Sequence, residues 1–405
     1  MLAQSNAEMN KAKWALRITF FFMGLSVAAS TARLAEIKQN TSSSQSAFGA
    51  ALMLGNLGAM FGNYIGARLS HRFGTRLIAQ MGISVFVLAQ ISYGFVNQLW
   101  QVPLTAFVAG CSYAIANIGV NSQGSMIQQN IGKSLMPSFH GSWSIGALTA
   151  SFVAGFAATY MSPGIHILLN SLIAVTGALV AMKLLLPHKS DHADQEANSE
   201  VLQHEEIPKP IKRFIFVLSI GSMLSIIAES SVGDWSTILL HENYNVPLGI
   251  NTYGYTAFIL IQTIGRFTVG KLIDKHSIQS VMRTFATIGG VGYFAGLLIS
   301  NLIHTQSPQA ALIVMCISYA VLGLGLAPMS PCFASIAGSI PGIPTARAVA
   351  RMQMISAFGF FIGRGFVSLL TNFISLPFAL LLTSLALIAS GVIASRMYPE
   401  KLLSN

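Results

Sequence analysis

Charge is what this sequence has least of. Of 405 residues only 9% are Asp, Glu, Lys or Arg, while 53% are hydrophobic; soluble domains carry about 25% charged residues. Such a chain cannot cover a water-facing surface, and the composition points to an integral membrane protein. Cysteine is scarce too. Cys111, Cys316 and Cys332 lie singly in apolar runs, without the spacing of a disulfide framework or a metal site, and are expected to pack as small apolar residues. The weak ten-residue alternation of a transmembrane barrel is also missing: the apolar runs are continuous, as helices in lipid require. No short apolar segment with a small-residue cleavage site opens the chain, so the first run, from near Trp14, reads as a retained helix. Neither a His-Glu-x-x-His nor a Gly-x-Ser-x-Gly run occurs, which argues against an enzyme. No cofactor and no metal are expected.

What is present is a series of twelve apolar spans, beginning near Trp14, Ala47, Thr75, Gln101, Leu135, Gly164, Ile211, Tyr253, Ile278, Pro308, Thr345 and Leu376. One polar stretch, 188–210, interrupts them. It carries Asp191, Asp194, Glu196, Glu200, Glu205 and Glu206 and closes on Pro208-Lys209-Pro210. The stretch reads as a solvated linker, with docking of a partner as the other reading. The expected fold is an all-α membrane protein: a six-helix bundle over 1–187, a cytoplasmic linker over 188–210, and a second, pseudo-symmetric six-helix bundle over 211–405.

A short pattern recurs at half the chain length. Ala67-Arg68-Leu69-Ser70-His71-Arg72-Phe73-Gly74 and Gly270-Lys271-Leu272-Ile273-Asp274-Lys275-His276-Ser277 each run small residue, Leu, polar residue, cation. The recurrence implies an internal duplication. Cations gather at alternate span ends: at Lys11, Lys13 and Arg17, from Arg68 to Arg76, from Lys209 to Arg213, from Lys271 to Arg283, and at Arg347 and Arg351. The other face keeps little beyond Lys38. By the positive-inside rule both termini are expected in the cytoplasm. The net charge of +10 is thus a topology signal, and no nucleic-acid partner is expected, because the cations are spread over helix ends without a base-reading motif.

Twelve spans, the six-plus-six split and the loop motif after spans two and eight resemble the major facilitator superfamily. Within it, several stretches resemble the rhizopine permease-like branch and, more distantly, the fucose permeases. These are Asn117-Ile118-Gly119-Val120-Asn121, Ser138-Phe139-His140-Gly141-Ser142-Trp143-Ser144, Glu229-Ser230-Ser231-Val232-Gly233-Asp234-Trp235-Ser236, and Gly254-Tyr255-Thr256-Ala257-Phe258 with Gly265-Arg266. The resemblance implies a monomeric inner-membrane carrier working by alternating access. It departs from the family pattern at Ala67, His71 and Asn117, where Gly, Asp and Asp are usual.

An ionisable group at bilayer depth costs at least about 2.5 kcal/mol on insertion scales, so each one in a span is a candidate for function. Arg33 and Glu36 share a face near the outer end of span one, either as a cavity pair or as an ion pair snorkelling at the interface. Glu229 and Asp234, in span seven, are five positions apart, about 140° around a helix, so one is expected to face a cavity and the other a neighbouring helix. Glu229 is the expected protonatable or substrate-binding carboxylate. Arg364 in span eleven is its expected partner, either in a coupling role or as a permanent bridge. Neutral polar groups suggest the cargo: Asn117, Asn121 and Gln128 share one face of span four, Asn56 and Asn63 one face of span two. His140, Trp143 and Ser144 start span five, and Gln262 lies in span eight. Such amides, hydroxyls and an aromatic platform suit a small polyhydroxylated solute; interhelical hydrogen bonding is the competing role, as packing is for His140.

The expected function is secondary transport of a sugar, polyol or amino-sugar-like solute with protons inward. The alternative is proton-driven export of amphipathic compounds. Span five, over 146–155, lacks the Gly-Pro pair of the exporters it would resemble, which favours import. In the loop motif, Arg68, Arg72, Gly74, Gly270 and Lys275 are gating candidates with His71 and Asp274. Asp274 can hold a cation or a helix N-terminus of the other half, and neutral His71 cannot. Asp274→Asn is therefore expected to reduce proteoliposome uptake at neutral pH more than His71→Asn; equal losses would contradict this.

Overall fold

A computed structural model describes residues 6–131, 135–187, 207–273, 275–341, 343 and 345–402, and among them there is helix and no strand. Contacts divide the chain into two compact units, Met1–Asn198 and Ser199–Asn405. Most of the expected linker, residues 188–206, lies outside the described residues, as does Asp274.

The first unit contains α1 (Asn6–Thr31), α2 (Leu34–Asn40), α3 (Gln45–Phe73), α4 (Thr75–Gly94), α5 (Gln101–Ile131), α6 (Met136–Ala157) and α7 (Pro163–Met182). The second contains α8 (Lys209–Ile238), α9 (Tyr253–Ile273), α10 (Ile278–Ile303), α11 (Pro308–Leu326), α12 (Met329–Gly338), α13 (Thr345–Ser356), α14 (Phe358–Leu370) and α15 (Leu376–Ala394). Every expected span falls on one of these helices or on a broken pair of them. Serine caps set several starts: Ser44 accepts from the Ala47 N–H and Ser307 from the Ala310 N–H, each at 3.1 Å. α8 begins two residues before the expected span, with Lys209 and Pro210 in its first turn, where proline's fixed φ and missing N–H cost nothing.

Among the described residues ten helical segments are long and apolar enough to cross a membrane. α3 and α6 fall short of that measure among the described residues, and they are the helices that carry Asn56 and Asn63, and His140, Trp143 and Ser144. Span ten is broken between α11 and α12 at Pro328, one of its two mid-span prolines, each of which removes a backbone N–H from the helix ladder. Span eleven is broken at Ala357 without a proline. There the Ser356 hydroxyl donates to the Met352 carbonyl at 2.8 Å and the Ser219 carbonyl at 3.2 Å, tying the break to α8.

The packing order repeats between the units. In the first, α1 packs on α6 and α7, α5 on α3 and α4, and α4 on α7; in the second, α8 packs on α13, α14 and α15, α11 on α9 and α10, and α10 on α15. Without a hydrophobic drive between helices in lipid, close backbone approach at small residues supplies the attraction. At the α1–α6 crossing, a Cβ added to Gly24 would run into the Trp143 carbonyl, and one added to Gly146 into the Phe21 carbonyl. The α8–α14 crossing uses Gly359, where a Cβ would meet the Met223 carbonyl oxygen at 2.8 Å, and Gly363 one turn on.

The loop motif uses its small residues differently. Gly74, between α3 and α4, has φ 86° and ψ 150°, a backbone shape nearly restricted to glycine. Gly270 is exposed in α9 and a Cβ there would meet nothing within 4 Å, so it serves no close helix approach at this position. The contrast gives a test. Gly146→Leu is expected to cost about 1–3 kcal/mol by overpacking, lowering the detergent melting temperature by several degrees. Gly270→Ala should leave it unchanged or raise it, as removing a helical glycine does. Thermal unfolding of the two purified variants checks both.

Candidate functional site

In the second unit α8 carries both acidic candidates, and the helical offset sends them to different neighbours. Asp234 is 5% exposed and is gripped at two points by Arg364 of α14, with Nε donating to Oδ2 at 2.6 Å and Nη2 to Oδ1 at 2.8 Å. Glu229, whose side chain is 33% exposed, accepts on one oxygen, Oε1, from Gln262 Nε2 at 2.9 Å and Arg266 Nη2 at 3.0 Å, both on α9. The expected Glu229–Arg364 pairing is therefore corrected. Arg364 follows Gly363, which seats α14 against Ser230 and Ile227 of α8, and from there its guanidinium reaches the carboxylate one turn further along α8. Of the two acids set 140° apart, Asp234 is sealed against a neighbouring helix and Glu229 stays partly accessible. Arg266, quoted above only within the Gly265-Arg266 stretch, was not among the expected site residues. It follows Gln262 by four residues and shares its face of α9, a signal present in the sequence.

A bidentate Arg–carboxylate pair is charge-assisted on both bonds and fixes orientation as well as distance. The Asp234–Arg364 pair has this form and acts as a rivet between α8 and α14. The single-oxygen grip on Glu229 lacks that geometry, and its accessible third, at bilayer depth, has to face water rather than hydrocarbon.

In the first unit the candidates are mainly neutral. Trp143 on α6 donates from Nε1 to the Tyr113 hydroxyl on α5 at 3.2 Å, and Tyr113 lies 5.1 Å from the Phe86 ring on α4. Trp143 is placed by the Gly24–Gly146 crossing, which brings its own backbone against α1. Exposed His140 sits edge-on to Phe20 with centroids 5.1 Å apart. Asn121 donates to both the backbone and the side-chain oxygen of Asn117, each at 2.8 Å, and both residues are half-buried. Asn56, on α3, is also half-buried.

Other expectations resolve into structural roles. Gln128 accepts from the Leu135 and Met136 N–H groups, capping α6. Arg33 and Glu36 do form an ion pair, at 2.6 Å, but it does not snorkel: the two are 0% and 6% exposed. α1 ends at Thr31, so Arg33 occupies the cap position of α2, where its Nη2 donates to the Met161 carbonyl at 2.8 Å. In the loop motif, the Arg68 guanidinium lies 3.7 Å from the centre of the Tyr64 ring and that of Arg72 5.1 Å from Phe73, so both are held by aromatic faces. Lys275 is exposed; the side chain of His71 and all of Asp274 are outside the described residues. Gln123, absent from the expected set, is fully buried, bonding the Thr75 hydroxyl at 2.7 Å and both backbone groups of Leu186. It ties α4, α5 and the segment that follows α7. Among the described residues no group of three or more His, Cys, Asp or Glu could hold a metal.

Removing one partner of a buried ion pair costs about 3–5 kcal/mol, a figure to be discounted here because the Arg364 side chain is 25% exposed. Asp234→Asn is expected to destabilise the purified protein by about 1–3 kcal/mol on that discounted scale. Glu229→Gln should cost clearly less, because its site is open to water. Melting temperatures in one detergent order the two.

The geometry can be set beside known proteins. The family model of the Major Facilitator Superfamily matches residues 16–345. Membrane protein MosC of Rhizobium meliloti is 22% identical over 94% of this chain and 88% of its own length. An MFS-type transporter of Yersinia pestis is 24% identical over 93% of this chain and 94% of its own. Among solved structures, the nucleoside transporter NupG superposes with a TM-score of 0.73 at 14% identity, covering 95% of this chain and 98% of NupG. A D-xylose-proton symporter does so at 0.72 and 14%, covering 96% and 98%. With a family model spanning most of its length and a transporter fold in both units, this multi-pass membrane protein belongs to the Major Facilitator Superfamily.

Proposed function

We propose that the protein is a monomeric secondary transporter of the inner membrane that imports a small polar solute, of sugar, polyol or amino-sugar type, together with protons by alternating access. In this reading two halves, 1–187 and 211–405, are joined by a cytoplasmic linker and both termini are cytoplasmic. The observation that carries it is the grip on Glu229: two donors from α9 meet on one oxygen of an accessible carboxylate in a span.

Such an arrangement can exchange partners. Ionised Glu229 holds Arg266 and Gln262. A proton on Glu229 removes the charge that holds Arg266, and the guanidinium and amide become donors for hydroxyl or carbonyl oxygens of a solute. Solute release returns Arg266 to Glu229 and the proton leaves. Asp234 does not take this part, because Arg364 already saturates it at two points. Trp143 with Tyr113, and Asn117 with Asn121, offer an aromatic face and amides to the same class of solute. Nucleosides and D-xylose, the cargoes named for two proteins of the same fold, belong to that polar class.

Proteoliposomes loaded with a pH dye and offered sugars, polyols, amino sugars and organic acids test the reading. A solute of the first three classes is expected to drive proton movement, and Glu229→Gln to abolish its pH dependence. Uptake that survives in Glu229→Gln with unchanged pH dependence would exclude the coupling role. A response to no solute, with drug resistance conferred on cells, would establish the exporter instead.

A further inference from the structure

One cavity has none of the proposed solute-site residues in its lining. It lies between α1 and α7 of the first unit, has a volume of about 620 Å³, and its walls include Trp14, Ile18 and Phe22 from α1 with Gly177 and Val180 from α7 and Leu184 just beyond it. Its interior is hydrocarbon in character. Its mouth is not: Asn10 and Lys11 stand there, at the start of α1. Lys11 is exposed and makes no hydrogen bond or ion pair among the described residues, whereas neighbouring Lys13 is engaged with Asn10 at 3.2 Å and Arg17 lies 4.5 Å over the Trp14 ring.

The dimensions are those of a lipid. From Asn10 to Phe22 is twelve residues, about 18 Å along a helix, close to one leaflet of a hydrocarbon core about 30 Å thick. The floor depends on Gly177: a Cβ there would collide with the Phe22 ring, so this glycine lets the ring lie back and the groove stay open. An apolar trough one leaflet deep, with a belt tryptophan and a free cation at its mouth, is complementary to an acyl chain below an anionic headgroup.

We propose that this groove is a binding site for one anionic phospholipid, its acyl chain between α1 and α7 and its phosphate at Lys11. The lipid belongs to the leaflet that the N-terminus faces, which is the cytoplasmic one in the orientation read above. The site is separate from Glu229 and Arg266, so it stands or falls independently of the transport reading.

Native mass spectrometry of the full chain in detergent, with dioleoyl phosphatidylglycerol or dioleoyl phosphatidylcholine added at equal concentration, reads it directly. The wild type is expected to retain phosphatidylglycerol about five-fold better, the effect of one cation near an anionic headgroup. Lys11→Gln should make the two lipids equal, and Lys11→Arg should restore the preference. Thr176→Trp, placing an indole at the exposed rim of the groove, should lower retention of both lipids. Equal retention of the two lipids by the wild type, a preference that survives Lys11→Gln, or unchanged retention in Thr176→Trp would each overturn the proposal.

Discussion

An ion in hydrocarbon has to be paired or wet, and in the second unit that constraint organises everything around one helix. α8 carries two carboxylates, and each has been given a cation from a different neighbour: Asp234 from α14, Glu229 from α9. The glycines of α14 allow the first pair to close at two points, and closure makes it a fastening. The second pair joins at one oxygen and stays accessible, so it can open without breaking the bundle. In the function proposed above, stability and coupling fall to different acids on one helix, five residues apart.

The first unit meets the same constraint by placing its buried ion pair at a span end. Its charged pair, Arg33 and Glu36, is confined to the turn into α2 and sealed. Among its polar candidates, Asn121 is held by Asn117 of its own helix and the Trp143 indole by Tyr113, while Gln123 and Gln128 bond neighbouring segments. The packing order of helices is the same in both units, so a shared scaffold carries unlike chemistry: mainly neutral donors and acceptors in one, ion pairs between neighbouring helices in the other.

Much of the fold was legible because its signals are local. Apolar run length located the spans, with helix starts at Thr75, Gln101, Ile278 and Pro308 where the runs begin, and Pro328 announced the break in span ten. The break at Ala357 was not legible, since it depends on a hydroxyl of one helix meeting the backbone of another. The site was half legible for the same reason. Helical periodicity separated Glu229 from Asp234, but the choice of cation was decided by which helices touch α8 and how closely. That depended on the packing of Gly359 and Gly363, which a single sequence does not rank against its other glycines. Arg266 was overlooked as a site residue although it shares a helix face with Gln262.

The central claim is that Glu229 couples solute to protons by exchanging Arg266 for a proton, while Asp234 only fastens. Solute counterflow and proton-driven accumulation, measured side by side in proteoliposomes of Glu229→Gln, separate the two capacities. Counterflow needs a working solute path and no net proton movement, whereas accumulation needs coupling. The account predicts that counterflow persists and accumulation is lost. Accumulation at the wild-type level in this variant would contradict it.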